Sequence, residues 1–148
     1  MCNSKKNDQT NQGLGRSCGG FSTKIHAVCD ALGNPLDFVI TGGEVADCTQ
    51  ISELTRNLKS DAILADKDYD SDGVVKSIEN TGAKAVIPLR KNRIIQREYD
   101  KHLYKERHKV ECLFGFLKHY RRLFARFDKL KSRFISFLYF MAMLQWLK

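Results

Sequence analysis

The segment Ala62-Ile63-Leu64-Ala65-Asp66-Lys67-Asp68-Tyr69-Asp70-Ser71-Asp72 gives the clearest prediction of the fold. Its first four residues are apolar and predict a short buried strand, and a run of carboxylates follows directly. Asp66 stands at the carboxyl end of that strand, where open α/β sheets place their ligands, and carboxylates suit Mg²⁺ or Mn²⁺. The same pattern fits the start of a helix, with Asp70 or Ser71 as its N-cap. We interpret Asp70 and Asp72 as capping residues, and for Asp66 both interpretations stay open.

The segments on either side of this stretch predict a mixed α/β fold with the long helices last. Residues 1–20 are polar and then glycine-rich, and predict a flexible segment. The predicted elements are a β-hairpin of Phe21–Val28 and Leu36–Thr41 around the turn Ala31–Pro35, a helix over Asp47–Leu58 capped by Asp47, a helix through Val74, Val75 and Ile78, a strand at Ala85–Ile87, a basic linker at 89–99, a helix at 100–119, a basic turn at 120–132 and an apolar helix at 133–147.

The positive charge is concentrated in the last part of the chain. The 148 residues carry 25 basic and 17 acidic side chains, a net charge of +8. Residues 90–148 hold 16 basic against 5 acidic groups, whereas residues 61–89 hold 3 against 6. An acidic cluster followed by a basic segment suggests a polyanion held near a cation-binding centre. The alternative is a solvated basic surface that binds nothing.

Composition excludes several classes of protein. A hydrophobic fraction of 43% is too high for an intrinsically disordered chain. Five cysteines without a C-x-x-C pair, and no signal-like apolar stretch, fit reduced thiols in the cytoplasm rather than a disulfide scaffold. The longest apolar run, Phe134–Leu147, is shorter than the ~20 residues of a membrane span. We therefore expect no membrane association.

The predicted helix at 100–119 carries a polar stripe beside its apolar face. Tyr104, Arg107, Glu111 and Lys118 fall within about 60° of one another at ~100° per residue. One carboxylate between two cations can complete a metal site while the cations bind phosphates. It can equally be an i, i+4 ion pair between Glu111 and Arg107.

Aromatic and basic residues alternate in the turn that follows, over 120–129. Arg121 and Arg122 open this turn, which could contact DNA. We expect instead that Leu123 and Phe127 pack the last two helices together.

These residues resemble the C-terminal part of DDE transposases of bacterial insertion sequences, of the IS5/IS4 type. The resemblance runs from about Gly13 to Leu147, and the spacing Tyr104-x2-Arg107-x3-Glu111-x6-Lys118 matches the Y-R-E-K signature of that group. The segment around Asp66 is similar to its D-x-G-Y-D motif, with Asp68 where glycine is usual. Further similar segments are Gly15–His26 (G-R-S-R-G-G in the family, with Cys18 in place of arginine), Asp30–Pro35, Thr41–Gly43 and Ile87–Pro88.

The resemblance implies a ribonuclease-H-like fold, a mixed sheet with flanking helices. It also implies metal-dependent DNA cleavage and strand transfer during transposition, with residues 21–148 as a partial catalytic domain. Three acidic residues would hold two Mg²⁺ or Mn²⁺ ions. Asp66 would be the second acid and Glu111 the third, while Tyr104, Arg107 and Lys118 would hold transposon-end DNA and Arg121 and Arg122 would add DNA contacts. The partners would be DNA and the rest of the transposase or a further copy of the chain, in a bacterial cytoplasm and at the nucleoid when DNA is bound.

The first acid of the family has no clear counterpart. Relatives carry it on a first strand upstream of the glycine-rich segment, so we expect a truncated or split transposase in which that strand is missing. Asp8 lies in a polar run that predicts no strand. Asp30 and Asp47 are the internal substitutes, but we favour the interpretation of Asp30 as a turn residue and of Asp47 as a helix cap. The alternative function is an inactive remnant that binds only DNA or full-length transposase.

Overall fold

The structure, a computed structural model, describes residues 12–94 and 97–148 and contains both antiparallel and parallel strands. In chain order the elements are β1 (Gly15–Ser17), β2 (Gly20–Cys29), β3 (Pro35–Gly42), α1 (Ile51–Thr55), β4 (Ala62–Leu64), α2 (Asp72–Glu79), β5 (Lys84–Val86), α3 (Lys101–Tyr104), α4 (His108–Lys118), α5 (Arg121–Phe124) and α6 (Lys131–Trp146), with 3-10 turns at Asp47–Gln50, Lys67–Tyr69 and Lys105–Arg107. The chain divides into two compact units, which we call the central unit (Ala46–His108) and the hairpin–helix unit (the described residues up to Val45 with Lys109–Lys148).

The predicted β-hairpin is confirmed in the hairpin–helix unit. Strands β2 and β3 pair antiparallel, with Ile25 opposite Ile40. β1 adds a third strand, because Gly15 pairs with Ser22. The prediction that residues up to 20 are flexible is therefore wrong for β1. Residues 1–11 lie outside the described part of the chain.

The core of the hairpin–helix unit joins β3 to the C-terminal helices. Apolar side chains recur along β3 and α6 at the spacing that turns one face inward. The buried members of this core are Phe38, Ile40, Leu113, Leu117, Leu123, Phe134, Leu138, Met141 and Ala142. The prediction of a buried C-terminal helix holds for one face of α6, since Phe140 and Met143 on it are exposed.

The central unit contains a parallel strand pair covered by a helix. β4 pairs with β5, with Ile63 next to Ala85. The amphipathic helix α2 begins at the predicted cap, because the Ser71 hydroxyl accepts the Val74 N–H at 3.3 Å. Its apolar face packs into a core of Ile51, Ala65, Val74, Val75, Ile78, Ala83 and Ile87.

Two predicted helices are shorter than expected. The helix predicted at 100–119 is interrupted by the 3-10 turn Lys105–Arg107. No apolar residue stands between Tyr104 and Val110, so no core contact fixes an α-helical turn there. The helix predicted to start at Asp47 begins instead with a 3-10 turn whose N-cap is Ala46. The basic turn predicted at 120–132 contains the short helix α5.

The mixed α/β class is confirmed. Among the described residues the antiparallel and parallel strands form two separate sheets, of three and two strands, rather than one mixed sheet. None of the described helices has the length and apolar character that crossing a membrane requires.

Candidate functional site

Asp66 lies where the sequence predicts it, directly after β4. The strand ends at Leu64, and Asp66 is the N-cap of the 3-10 turn Lys67–Tyr69. One carboxylate oxygen accepts the Lys67 N–H at 2.6 Å, and the other lies 3.6 Å from Nη1 of Arg107. The Asp66 side chain is 40% exposed and that of Arg107 24%, so the carboxylate remains open to solvent. Asp66 therefore caps a turn and still presents an oxygen to a ligand.

Tyr104 and Arg107 of the polar stripe meet Asp66 within the central unit. The Arg107 guanidinium lies 5.7 Å from the centre of the Tyr104 ring, a cation–π distance. Tyr99 packs edge-on against the same ring at 5.7 Å. Burial raises the pKa of the Tyr104 phenol, which stays a neutral hydrogen-bond donor at neutral pH. Half of the four-residue signature thus stands beside the predicted second acid.

Tyr69 is a second tyrosine of this site, and no separate role was predicted for it. Burial, together with the negative charges of Asp47 and Asp66, raises its pKa to about 12. The neutral phenol is therefore strongly favoured. Asp47 and Asp66 both act on this one group, which places them in the same electrostatic environment.

Asp70 is a buried anchor for the basic linker, and its interpretation as a capping residue is wrong. Its side chain is fully buried, and its oxygens accept from Arg93 Nε at 3.0 Å, Arg97 Nη2 at 3.2 Å and the Arg90 backbone N–H at 2.8 Å. Ser71 provides the cap instead. The sequence signal that could have found this cluster is the set of arginines in the predicted linker, because a buried carboxylate requires such partners.

Arg90 and Asp72 complete the cluster around Asp70. The Arg90 side chain donates to the backbone carbonyls of Lys67 and Asp68, at 3.1 and 2.7 Å. Asp72, in the first turn of α2, pairs with Arg93 Nη1 at 2.6 Å, and this pairing lowers the pKa of Asp72. The linker arginines thus fix the loop that follows Asp66.

The other predicted site residues belong to the hairpin–helix unit. Glu111 and Lys118 are exposed on α4, and Arg121 and Arg122 are exposed on α5. Arg122 forms a bidentate pair with Asp128, through Nε at 2.8 Å and Nη2 at 2.9 Å. The structure thus brings Asp66, Tyr104 and Arg107 together in one unit and places the remaining four in the other.

The candidates for a first acid differ in their surroundings. Asp8 lies outside the described residues. Asp30 is the predicted turn residue, because its carboxylate accepts the backbone N–H groups of Leu32 and Asn34, both at 2.8 Å. Asp47 is the first residue of its 3-10 turn rather than the cap, and its charge acts on Tyr69.

The donor chemistry of Asp66 suits a hard divalent cation, but a complete ligand set is not assembled. Within residues 12–94 and 97–148, no three His, Cys, Asp or Glu side chains are grouped so that they could hold a metal ion. The Asp66 oxygen that does not cap the turn lies 3.6 Å from a cation, the Arg107 guanidinium. We therefore derive no catalytic step through a metal ion.

Comparison with known proteins identifies the family. Residues 1–145 match the Transposase DDE domain. The chain belongs to the DDE transposases. It is 40% identical over 130 residues to a putative transposase for insertion sequence element IS6501 of Brucella ovis, which covers 86% of this chain and all of the relative. It is 33% identical over 119 residues to a putative transposase for insertion sequence element IS402 of Burkholderia cepacia, which covers 72% of this chain and 54% of that protein.

The predicted recognition of an insertion-sequence DDE transposase is thereby confirmed, while the IS5/IS4 type stays a prediction. No solved structure matches the chain. Membership indicates a part in transposition, and DDE transposases generally use divalent metal ions.

Proposed function

We propose that this chain is the catalytic part of a DDE transposase of the IS5/IS4 type. It would cleave DNA strands at the ends of an insertion sequence and transfer them to a target, in a domain of ribonuclease-H-like topology. The activity would depend on Mg²⁺ or Mn²⁺. Its partners would be transposon-end and target DNA, together with the rest of the transposase or a second copy of the chain, in a bacterial cytoplasm.

Each predicted site residue takes a role in this proposal. By the family resemblance, Asp66 and Glu111 would be two of the acids that hold the divalent metal ions on which DNA cleavage would depend. Arg107 can bind a non-bridging phosphate oxygen, because its guanidinium is partly exposed beside Asp66. Tyr104, held neutral, can donate a hydrogen bond to the DNA backbone. Lys118, Arg121 and Arg122 would add phosphate contacts.

The observation that carries the proposal is the meeting of Asp66 with Tyr104 and Arg107. These residues are 38 and 41 positions apart in the sequence, and the family resemblance assigns them to one site on motif spacing alone. In the central unit Arg107 lies 3.6 Å from Asp66 and 5.7 Å from the centre of the Tyr104 ring. Independent structural contact between two separately matched motifs supports the assignment.

The test is DNA cleavage by an enzyme reconstituted with the upstream part of a transposase. Asp66→Asn and Glu111→Gln should each abolish Mg²⁺-dependent cleavage of transposon-end DNA, since each removes a metal-binding carboxylate without changing side-chain size. Asp68→Asn is the matched control, because Asp68 is exposed and its described contact is through its backbone carbonyl. Cleavage that persists in either site variant would contradict the assignment.

An alternative function is a remnant that binds DNA or full-length transposase without cleaving. The observation that favours it is the lack, among the described residues, of any group of three metal-ligating side chains. The two functions share the basic surface and differ in metal binding. Cleavage by the reconstituted enzyme excludes this alternative.

A further inference from the structure

The segment 118–133 combines a strong positive charge with exposed aromatic rings. It holds seven basic residues and one acidic residue, Asp128. Phe124 is 74% exposed and Phe127 is 62% exposed, whereas Leu123 between the arginines and Phe124 is buried. The prediction that Leu123 and Phe127 together pack the last helices is therefore right for Leu123 and wrong for Phe127. We call this segment the aromatic–basic surface.

The backbone that carries these rings is held in a defined turn. α5 ends in a Schellman motif, in which Phe127 N–H reaches the Arg122 carbonyl at 3.4 Å and Arg126 N–H reaches the Leu123 carbonyl at 3.3 Å. Arg126 adopts the left-handed backbone that this motif requires, at φ +42°. An arginine is an unusual residue there, because side chains disfavour positive φ.

Contacts of the Arg126 side chain stabilise that turn. Its guanidinium donates to the Gly13 carbonyl at 2.7 Å and also contacts Gln12 and Thr23. The same group lies 5.2 Å from the centre of the Phe134 ring. Arg126 is thus used within the hairpin–helix unit, and the turn that carries Phe127 is anchored at several points.

Three further cations of this surface, Arg121, Lys129 and Arg133, are exposed to solvent. The Arg121 guanidinium lies 5.8 Å from the centre of the exposed Phe127 ring. The Arg122 guanidinium pairs with Asp128, so the single carboxylate of the segment is already neutralised. The same guanidinium lies 4.5 Å from the centre of the Phe137 ring. Beside Arg122 a shallow cavity of about 400 Å³ is lined by Ser132, Arg133, Ser136 and Phe137. In this lining the Arg133 guanidinium and the Ser132 hydroxyl suit the oxygens of a phosphate.

We infer that the aromatic–basic surface binds DNA whose bases are unpaired, with Phe124 and Phe127 stacking on the bases and the cations binding the backbone. The faces of paired bases are covered within a duplex, so only single-stranded or opened DNA can use exposed rings fully. A basic surface with interleaved aromatic rings is the combination that single-strand binding proteins use. The inference rests on the proposed DNA function and deepens it, since it names the form of DNA that this surface prefers.

The test compares two fluorescent DNA probes by anisotropy at fixed salt. One probe is a short duplex, and the other is the same duplex with a single-stranded thymidine extension. The full chain should bind the extended probe more tightly. The double variant Phe124→Ala/Phe127→Ala should lose roughly thirtyfold or more in affinity for the extended probe and little for the duplex, because it removes two rings that each stack on one base.

Two matched variants show whether a loss of affinity for the extended probe comes from lost base stacking or from another cause. Phe21→Ala removes a ring that is 67% exposed elsewhere in the same unit and should leave both affinities unchanged. Phe124→Leu/Phe127→Leu keeps an apolar surface without aromatic faces, and should behave like the alanine variant. Circular dichroism should show that all variants fold, since none of the three rings is in the core.

Each other outcome overturns the inference in an identifiable way. Equal affinity of the wild-type chain for both probes, or an equal loss on both in the alanine variant, would contradict the preference for unpaired bases while leaving DNA binding intact. A sedimentation change in the alanine variant, with DNA affinity unaltered, would identify the surface as a contact between copies. No binding of either probe by the folded wild-type chain would contradict the proposed DNA-binding function as well.

Discussion

The central unit and the C-terminal segment use arginine in opposite ways. In the central unit Arg93 and Arg97 bind the buried carboxylate of Asp70, and Arg90 binds backbone carbonyls. In segment 109–148 there are nine basic residues and two acidic ones, and Arg121 and Arg133 are exposed. Residues 46–108, by contrast, hold twelve basic and eleven acidic groups.

This difference shows that the net charge of a segment indicates an anion-binding surface only when the basic side chains that pair within the protein are left out of the count. The sequence places the basic excess in residues 90–148 as one block. The structure divides that block into a linker whose arginines stabilise the fold and a helical segment in which Arg122 and Arg126 have partners within the protein, whereas Arg121 and Arg133 are exposed to an anion.

Asp70→Asn should destabilise the chain by about 3 kcal/mol, because it leaves two arginines beside an uncharged buried side chain. Thermal or urea unfolding measures this loss. Asp68→Asn, two positions earlier, changes an exposed carboxylate and should cost less than about 0.5 kcal/mol. Similar losses in the two variants would show that the linker arginines do not stabilise the central unit.

Arg126→Gln should destabilise the chain by about 2 kcal/mol, because Arg126 makes charged hydrogen bonds to Gly13 and its neighbours. Arg121→Gln removes a guanidinium that is exposed, and should change stability by less than about 0.5 kcal/mol while weakening DNA binding. An equally small stability loss in both would contradict a structural role for Arg126.

Lys129→Gln and Arg133→Gln should each reduce the salt dependence of DNA binding. Each phosphate contact contributes ~0.9 to the slope of log affinity against log salt for a duplex and ~0.7 for a single strand. Anisotropy titrations at several salt concentrations measure the slope. Lys91→Gln, in the linker of the central unit, is the control of equal charge. A flat response of the wild-type chain to salt would exclude backbone contacts altogether.

Tyr69 should titrate about two pH units above an ordinary tyrosine, which has a pKa of ~10. Because the folded-state pKa is raised, its contribution to stability is complete below pH ~10 and is lost as pH rises through about 12. Absorbance of the tyrosinate in the folded chain measures the transition. The Tyr69→Phe variant should lack the tyrosine deprotonation that occurs at the highest pH. If the variant titrated like the wild-type chain, Tyr69 would not lie in a buried environment near Asp47 and Asp66.

Local patterns in the sequence predicted much of the fold. The hairpin, β4, α2 and its Ser71 cap follow from alternation, helical spacing and capping preferences, which act between near neighbours. The position of Asp66 at the end of β4 was also predicted in this way. The break at Lys105–Arg107 was not, because the spacing rule assumes an uninterrupted helix.

The rest depends on contacts between distant residues. Asp70 is read locally as a cap, and its actual partners, Arg90, Arg93 and Arg97, lie 20 to 27 positions away. Phe127 alternates with basic residues just as Leu123 does, and only the turn at Arg126 decides which of them is buried. Tertiary packing therefore determines both that Asp70 is buried among the linker arginines and that Phe127 is exposed on the aromatic–basic surface.

The most direct test of the central claim is calorimetric titration of the purified chain with Mn²⁺, alongside the Asp66→Asn/Glu111→Gln double variant. If these two acids belong to the catalytic site, the wild-type chain binds the ion and the double variant does not. Equal binding by both proteins, or no binding by a wild-type chain shown to be folded, would contradict the assignment of Asp66 and Glu111 as metal ligands.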